Sequence, residues 1–301
     1  MRKAMLIVNP SAGGEKAPEY AVHAEKKLKT LFDLVEVKET EKGGDAKDFA
    51  KHASENNYEA VFVMGGDGTV NEGISGLAHD GNKTKFGFFP LGTVNDLARA
   101  LNLPLDPMES IESLDVSVSK FIDIGKVNDE YFMNVVGVGT IPEAINNVEV
   151  EDKTKFGKLA YFISGFKHVL GNQSYNFKVT LDGEEYDIES SILLVGLTNS
   201  VGGFETLIPN ASVDDGYLHL VYIKDHNLLD TIKAIPNLLK GVVEDSDKVG
   251  YVNFKEGSIE VVDNDELATN IDGDEGPKLP IKVSVLQSHL EVYYRKEKDS
   301  E

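Results

Sequence analysis

Ala60-Val61-Phe62-Val63-Met64-Gly65-Gly66-Asp67-Gly68-Thr69-Val70-Asn71-Glu72 is the stretch on which the reading of this chain turns. Five uncharged apolar residues in a row read as a strand covered on both faces, the form that parallel sheets take. Three glycines interrupt the run, and a helix carrying Ile74 and Leu77 follows. Glycine lets a backbone approach a ligand closely and admits positive φ. The unpaired N–H groups at a helix start attract anions, and the helix dipole favours phosphate there. The stretch is neither a Walker A loop nor a G-x-G-x-x-G dinucleotide fingerprint, and Gly137-Val138-Gly139 is only a fragment of the latter. The plain alternative is a tight strand-to-helix turn. An Asp between glycines, followed directly by Thr and Asn, argues for phosphate instead.

Outward from this stretch the same alternation continues. Ala4–Val8 reads as a buried strand ending in the turn cluster Asn9-Pro10-Ser11-Ala12-Gly13-Gly14. Pro18 to Phe32 has helical spacing, with Leu28, Leu31 and Phe32 on one side. Leu34–Val37 is a short strand, and Asp45 is placed to cap a helix running to about Glu55. Lys85–Phe89 is a strand closed by Pro90-Leu91-Gly92-Thr93, with Asn95 or Asp96 capping the next helix. Strands alternating with helices predict an α/β layer around a mainly parallel sheet. Ligands of such sheets bind at the carboxyl ends of the strands. The loops Asn9–Gly14, Thr40–Ala46, Gly65–Glu72 and Leu91–Asp96 are therefore expected to converge. Asp67 and Asp96 are hard oxygen ligands suited to Mg²⁺, directly or through water. For Asp96 a plain helix cap is the competing reading.

The pattern changes near Ser119–Gly125. Short strands are predicted at Lys120–Val127, Tyr131–Val136, Asn176–Leu181, Glu185–Gly196, Tyr217–Ile223, Ser258–Val262, Lys282–Leu286 and His289–Tyr294. Turns such as Asp182-Gly183 and Asp215-Gly216 separate several of them, which predicts an antiparallel sandwich or barrel. Helices near 156–170 and 228–241 interrupt it. The expected division is an α/β domain at 1–124, a β domain at 125–294 and a charged tail at 295–301.

Composition narrows the function classes. Among 301 residues, 30 Lys and Arg face 51 Asp and Glu, a formal charge of −21. That balance argues against a nucleic-acid binder, which carries a basic footprint. The absence of cysteine excludes a disulfide scaffold, a thiolate nucleophile and a zinc site built on Cys. No apolar run approaches the ~20 residues of a membrane span, so a soluble, cytoplasmic protein is expected, peripheral to a membrane at most. No His pair has the spacing of a zinc protease helix, and no Gly-x-Ser-x-Gly elbow supports a serine hydrolase. The acid excess is uneven. The window Lys153–Leu181 holds five Lys and no Asp or Glu. Its Lys153, Lys155, Lys158 and Lys167 alternate with Phe156, Tyr161, Phe162 and Phe166. That pattern fits a helix facing an anionic membrane. It fits equally a core stripe of Leu159, Phe162, Phe166 and Leu170 with a solvated basic face.

Together these motifs resemble the diacylglycerol kinase catalytic-domain family, which includes soluble bacterial lipid kinases and sphingosine and ceramide kinases. The family's Gly-Gly-Asp-Gly-Thr-x-Asn-Glu stands intact at Gly65–Glu72. Its Leu-Gly-Thr-x-Asn-Asp-x-Ala-Arg stands at Leu91–Arg99, its Asn-Pro-x-x-Gly-Gly at Asn9–Gly14 and its Thr-x-x-x-Gly-Asp-Ala at Thr40–Ala46. Gly157–Tyr161 looks like its later helix start, and Ala211–Gly216 like its Asp-Gly turn. Ile271-Asp272-Gly273-Asp274 sits where the family has Asp-Gly-Glu. The resemblance implies an N-terminal α/β domain like those of NAD kinase and phosphofructokinase, followed by a C-terminal β-sandwich that supplies the base and the lipid side of the site.

The activity implied is ATP- and Mg²⁺-dependent transfer of the γ-phosphate to a hydroxyl of diacylglycerol or a similar lipid. Nucleotide contacts carry over to Asn9, Pro10, Ser11, Ala12, Gly13, Thr40, Gly65, Gly66, Asp67, Gly68, Thr69, Val70, Asn71, Glu72 and Thr93. A structural Mg²⁺ carries over to Asp215, with backbone oxygens of Ser212 and Tyr217. The proton acceptor becomes Asp274, with Asp67 supporting catalysis through Mg²⁺ and phosphate. The partners implied are a lipid at the inner face of the membrane, reached by peripheral contact, and no nucleic acid; a homodimer is compatible. An Asp where the family has Glu reaches ~1.5 Å less far. That keeps open a non-catalytic nucleotide or lipid sensor, while the fold shared with NAD kinase keeps open a kinase of a soluble hydroxyl, against which the second-half matches favour lipid.

Overall fold

A computed structural model describes residues 1–139, 174–200, 207–224, 241–262 and 266–295. The expected helices near 156–170 and 228–241, the Gly157–Tyr161 motif and most of the basic window lie outside the described residues. The end of that window forms a strand of the second unit. Among the described residues, no helix is long and apolar enough to cross a membrane.

The chain divides into two compact units, residues 1–124 with 287–301, and residues 125–286. In chain order the first unit holds β1 (Lys3–Val8), a single irregular turn α1 (Ala12–Glu15), α2 (Ala17–Leu28), β2 (Leu34–Glu39), α3 (Asp45–Glu55) and β3 (Ala60–Gly65). There follow α4 (Asp67–Leu77), β4 (Lys85–Pro90), α5 (Asp96–Ala100), α6 (Pro107–Glu112) and the start of β5 (Ser119–Val127). The strands line up as β2-β1-β3-β4, all parallel. Every residue of β3 is buried, as a parallel strand with both faces covered requires. Phe62 at its centre lies between Phe32, Phe89 and Tyr293, with ring centroids 5.8, 5.9 and 5.5 Å away. α3 and α4 pack closely because Gly76 lacks a side chain. A Cβ there would stand 2.3 Å from the Lys47 carbonyl oxygen and 2.9 Å from the Ala50 Cβ.

The second unit is all strand among its described residues. After β5 come β6 (Glu130–Phe132), β7 (Val135–Gly139), β8 (Tyr175–Leu181), β9 (Glu184–Ser190), β10 (Ile192–Gly196) and β11 (Leu218–Ile223). Then follow β12 (Val249–Phe254), β13 (Glu256–Val261), β14 (Ala268–Ile271), β15 (Asp274–Lys278) and β16 (Ile281–Tyr293). One layer runs β16-β13-β8-β9, with β5 beside β16 and β6 beside β5. The other runs β12-β11-β10-β7-β14-β15, antiparallel throughout. Phe177, Val179 and Ile259 of the first layer share one core with Val136, Val138, Leu193, Val195, Leu218 and Leu220 of the second. This is the expected β-sandwich, following the expected parallel-sheet α/β domain.

Several boundaries differ from the sequence reading for identifiable reasons. The two strands expected at Lys282–Leu286 and His289–Tyr294 are one strand, β16. From residue 287 it belongs to the first unit, where Val292 pairs in parallel with Phe86 and Tyr293 stacks on Phe62. The burial of Leu290, Val292 and Tyr293 draws the segment there. The expected strand Tyr131–Val136 breaks at Met133-Asn134, whose amides turn to the Asp272 carboxylate. The expected strand Glu185–Gly196 breaks at Ser190-Ser191, where the Ser190 hydroxyl serves the Ile192 and Ile223 carbonyls. Asp45 does not cap α3. Gly44 occupies the N-cap with φ 91°, and Asp45 folds the preceding loop by accepting from the Glu41 and Lys42 amides at 2.8 and 3.0 Å. Those bonds hold its carboxyl below the usual carboxylate range.

Replacing Gly76 separates two opposed effects. Alanine gains up to ~1 kcal/mol of helix propensity, but a side chain forced against backbone costs about 1–3 kcal/mol. The clash is expected to dominate, so Gly76→Ala lowers the denaturant midpoint. An unchanged or raised midpoint would show that α3 and α4 can separate at little cost.

Candidate functional site

Parallel strands lie about 4.8 Å apart, so the loops leaving β1, β2, β3 and β4 emerge side by side. Hydrogen bonds join them. Asn9, after β1, donates from Nδ2 to the Thr69 hydroxyl at 3.0 Å and accepts the Ser11 amide on Oδ1 at 3.1 Å. The Thr40 amide, after β2, donates to the Val8 carbonyl at 2.9 Å. Glu72 on α4 accepts the Ala46 amide at 3.2 Å, which ties the Thr40–Ala46 loop to the glycine loop. The loops after β3 and β4 meet backbone to backbone. A Cβ on Gly92 would lie 3.0 Å from the Gly66 Cα.

Asp67 closes this last junction. Its Oδ2 accepts the Asn95 amide at 2.8 Å and its Oδ1 the Asp96 amide at 2.9 Å. It therefore caps α5 from another helix, because Asn95, the N-cap residue itself, sits at φ 57° and makes no side-chain cap. The Asn95 side chain is occupied with Gly92, donating to its carbonyl at 2.8 Å and accepting its amide at 2.9 Å. Arg99 Nε donates to the Val94 carbonyl at 2.8 Å. The loop bearing the exposed Thr93 is thus clamped at both ends. Asp67, expected to serve catalysis alone, carries a structural bond on each oxygen, and Asp96 is the first residue of α5 rather than its cap.

The start of α4 is left bare. Gly66 occupies the N-cap and offers no side-chain cap. The amides of Asp67, Gly68 and Thr69 belong to the set that a helix cannot satisfy internally. Gly68 is exposed, and a Cβ on it would meet nothing within 4 Å. Its φ lies outside the positive region. Neither sterics nor backbone conformation demands glycine at this position, and glycine costs a helix ~1 kcal/mol relative to alanine. Open space at an uncapped helix start is the form that an anion site takes. Nearby, the Asn71 Oδ1 is buried without a hydrogen-bond partner among the described residues.

In the second unit the Ser212–Tyr217 turn is organised by Asp215. Its Oδ2 accepts the Ser212 amide at 2.9 Å and its Oδ1 the Tyr217 amide at 2.9 Å. The buried His219 places Nε2 3.0 Å from Oδ2, and its Nδ1 is 2.8 Å from the Tyr251 hydroxyl. Burial, then the Asp215 charge, push the Tyr251 phenol up. Among the described residues no three acidic or histidine side chains converge on a metal site. Any cation here would be held by one carboxylate and backbone oxygens.

Asp272 and Gly273, at φ 50° and 106°, form the two-residue turn between β14 and β15. Both φ values are positive, as an Asp-Gly type I′ hairpin requires. The Asp272 carboxylate accepts the amides of Met133, Asn134 and Val135 at 2.7, 3.0 and 2.8 Å. That staples the turn to the start of β7. Asp274 opens β15 opposite Ile271 and Glu275 lies opposite Asn270, so the two acids face opposite sides. Asp274 is exposed, and among the described residues its carboxylate has no hydrogen bond or ion pair. The bracing roles of Asn95, Arg99, Asp272, His219 and Tyr251 were not read from sequence. The Asp-Gly pair at 272–273 was the one available signal.

Comparison with known proteins covers both units. Residues 3–127 match the Diacylglycerol kinase catalytic domain, and residues 134–294 match the YegS C-terminal NAD kinase beta sandwich-like domain. A Streptococcus pneumoniae protein provisionally named a lipid kinase is 42% identical over 299 residues, spanning 99% of this chain and 100% of its own. The diacylglycerol kinase of Staphylococcus carnosus is 35% identical over 300 residues, spanning 98% and 96%. A crystal structure from Bacillus anthracis, provisionally titled a diacylglycerol kinase, is 30% identical with a TM-score of 0.83, spanning 98% and 95%.

Gly68 and Asp67 should separate binding from bracing. Gly68→Ala should leave the melting temperature unchanged or slightly higher and weaken nucleotide binding in calorimetry. Asp67→Ala strips charge-assisted bonds worth ~1.5–3 kcal/mol each at most and should lower the melting temperature as well. Normal nucleotide affinity in Gly68→Ala would leave its glycine without a ligand-based reason.

Proposed function

Because the chain belongs to the diacylglycerol kinase catalytic-domain family of phosphotransferases, we propose that it transfers the γ-phosphate of ATP, with Mg²⁺, to a hydroxyl of diacylglycerol or a similar membrane lipid. The observation that carries the donor half is the uncapped α4 start with open space above Gly68. The buried, unpartnered Asn71 Oδ1 suits a donor group of the nucleotide, such as a ribose hydroxyl or the adenine amino group. The donor set at the Ser212–Tyr217 turn also fits Mg²⁺, a hard cation held by one or two carboxylates that keeps several waters. Asp215 would bind it by carboxylate, Ser212 and Tyr217 by carbonyl oxygens. Bound cation supplies positive charge and local rigidity.

Phosphoryl transfer asks the protein mainly for position and charge stabilisation. The amides of Gly68 and Thr69 receive phosphate oxygens, and the clamped Gly92–Asn95 loop holds Thr93 for the nucleotide. Asp274 takes the hydroxyl proton as the lipid oxygen bonds to the terminal phosphorus and ADP departs. Its carboxylate is suited to this because no neighbour among the described residues occupies it. As an Asp it requires a closer acceptor or one bridging water. The basic and aromatic stretch 153–173 is the proposed membrane-facing part of the Lys153–Leu181 window, each Lys contributing ~1 kcal/mol near an anionic surface. The end of the window is β8, whose Tyr175, Phe177, Val179 and Leu181 are committed to the sandwich core. The proposed place of action is the cytoplasmic face of the membrane. The sensor reading is favoured by one feature, Asp274 in the place of Glu.

Incubation with labelled ATP, Mg²⁺ and a panel of lipid hydroxyls, followed by thin-layer separation, should give labelled phosphatidate from diacylglycerol. Asp274→Asn should cut turnover by about 100-fold or more with ATP affinity nearly intact, whereas Asp274→Glu should keep or raise activity. Loss on Glu275→Gln with full activity in Asp274→Asn would move the base by one residue. No labelled lipid from the wild type under any condition would favour the sensor.

A further inference from the structure

His219 is 3% exposed on β11 and spends both ring nitrogens on neighbours. A carboxylate only accepts hydrogen bonds, so the nitrogen facing Asp215, Nε2, carries the proton. Nδ1 of the neutral ring is then an acceptor and receives the Tyr251 hydroxyl at 2.8 Å. Tyr251 stands on the adjacent strand β12, opposite Val221, with its ring 6.0 Å from the imidazole and inclined by 22°. The result is a directed chain, Tyr251 O–H to His219 and His219 N–H to Asp215.

A turn aspartate does not need such a chain. Asp182, in the Asp-Gly turn between β8 and β9, is held among the described residues by the amides of Lys255 and Glu256 alone. Asp215 likewise has two amide donors, Ser212 and Tyr217 of its own turn, and the buried imidazole comes in addition. Its carboxylate plane is therefore fixed from outside the turn while its side chain stays 21% exposed. Metal-ligating groups are commonly braced in this way, and losing an outer partner typically costs 10–100-fold in metal affinity.

We propose that Tyr251 and His219 are positioning residues that orient Asp215 for a hard divalent cation and so set the affinity of the Ser212–Tyr217 turn for it. The proposal rests on the reading of that turn as the Mg²⁺ site. His219 is a brace here and not a ligand.

The test titrates Mg²⁺ alone into the full chain, from a metal-stripped start, and follows the melting temperature. Nucleotide-free protein is used so that no activity enters. A bracing loss moves the Mg²⁺ midpoint, whereas a packing loss moves only the metal-free melting temperature. Wild type should gain stability with Mg²⁺ and Asp215→Ala should not. Tyr251→Phe, which removes one hydroxyl and keeps the ring, should raise the midpoint by about 10-fold or more. His219→Phe should raise it further, and His219→Gln, whose amide can still donate to Asp215, should recover part of the loss. If Asp215→Ala abolishes the Mg²⁺ effect while Tyr251→Phe and His219→Phe keep the wild-type midpoint, the site stands and the bracing role is overturned. If His219→Phe does not fold, Tyr251→Phe decides alone. If wild type itself shows no Mg²⁺ effect, the cation reading of the turn fails and the proposal with it.

Discussion

The bond of the Asp67 carboxylate to the amides of Asn95 and Asp96 is the interaction on which the nucleotide half depends. Adjacent parallel strands deliver the ends of β3 and β4 side by side, but two loops of ordinary residues would be held apart by their side chains. Gly66 and Gly92 remove that obstacle and let backbone meet backbone. Asp67 then converts proximity into a fixed angle by capping a five-residue helix that has no side-chain cap of its own. With this corner set, Asn9 can reach Thr69 and Glu72 can reach Ala46, so the loops of four strands are tied around the bare start of α4. The uncapped amides there remain available because the side chains of Asn9, Asp67, Thr69, Glu72 and Asn95 are already paired with other groups of the loops.

The sandwich uses the same chemistry on a different scaffold. Asp182 and Asp272 each precede a glycine in a two-residue hairpin turn, and each turns its carboxylate to backbone amides of a neighbouring segment. A charge-assisted bond to an amide is worth roughly twice a neutral one. An Asp can therefore fix both the conformation of its own turn and the place where that turn docks. Asp215 also precedes a glycine, but its amide bonds come from its own turn, from Ser212 and Tyr217, and its tie to another strand runs through His219 and Tyr251. That difference, within one molecule, is what the proposed cation-binding role of the Asp215 turn would account for.

The fold was legible wherever burial leaves a simple pattern. β3 is an unbroken apolar run because both faces are covered, and it announced the parallel sheet. Alternation in β8 announced a strand with one face in the core. What could not be read is what tertiary pairing decides. β14 and β15 are four and five residues long and carry Asn, Asp, Glu, Gly and Pro, so no periodicity marks them. Their hairpin exists because Asp272 is fastened to residues more than a hundred positions away. β16 looked like two strands because residues 287–289 are polar, and it is one because each end is claimed by a different core. At the site, the glycine loop was legible as a phosphate motif from its own residues. The capping of α5 by Asp67 was not, since nothing local links positions 67 and 96.

The distribution of bonds among the carboxylates finally bears on their roles. Asp67, Asp215 and Asp272 all stand in motifs that suggest chemistry, yet each has its oxygens turned to backbone amides. A carboxylate spent in that way would have to break structural bonds, or share its lone pairs, to receive a substrate proton. Among the described residues Asp274 has no such commitment. It is carried on the first residue of β15, directly after the stapled turn, so its backbone is fixed while its side chain is not. A base has to be rigid in position and vacant in bonding, and on the proposed reading the hairpin divides those two requirements between residues two apart, Asp272 for the first and Asp274 for the second. The shorter reach of Asp relative to Glu then acts on a fixed backbone, which the turn cannot shift without releasing the Met133–Val135 amides. On the proposed reading, compensation would come from where the acceptor sits or from one bridging water, which makes the substrate side, rather than the loop, the adjustable partner.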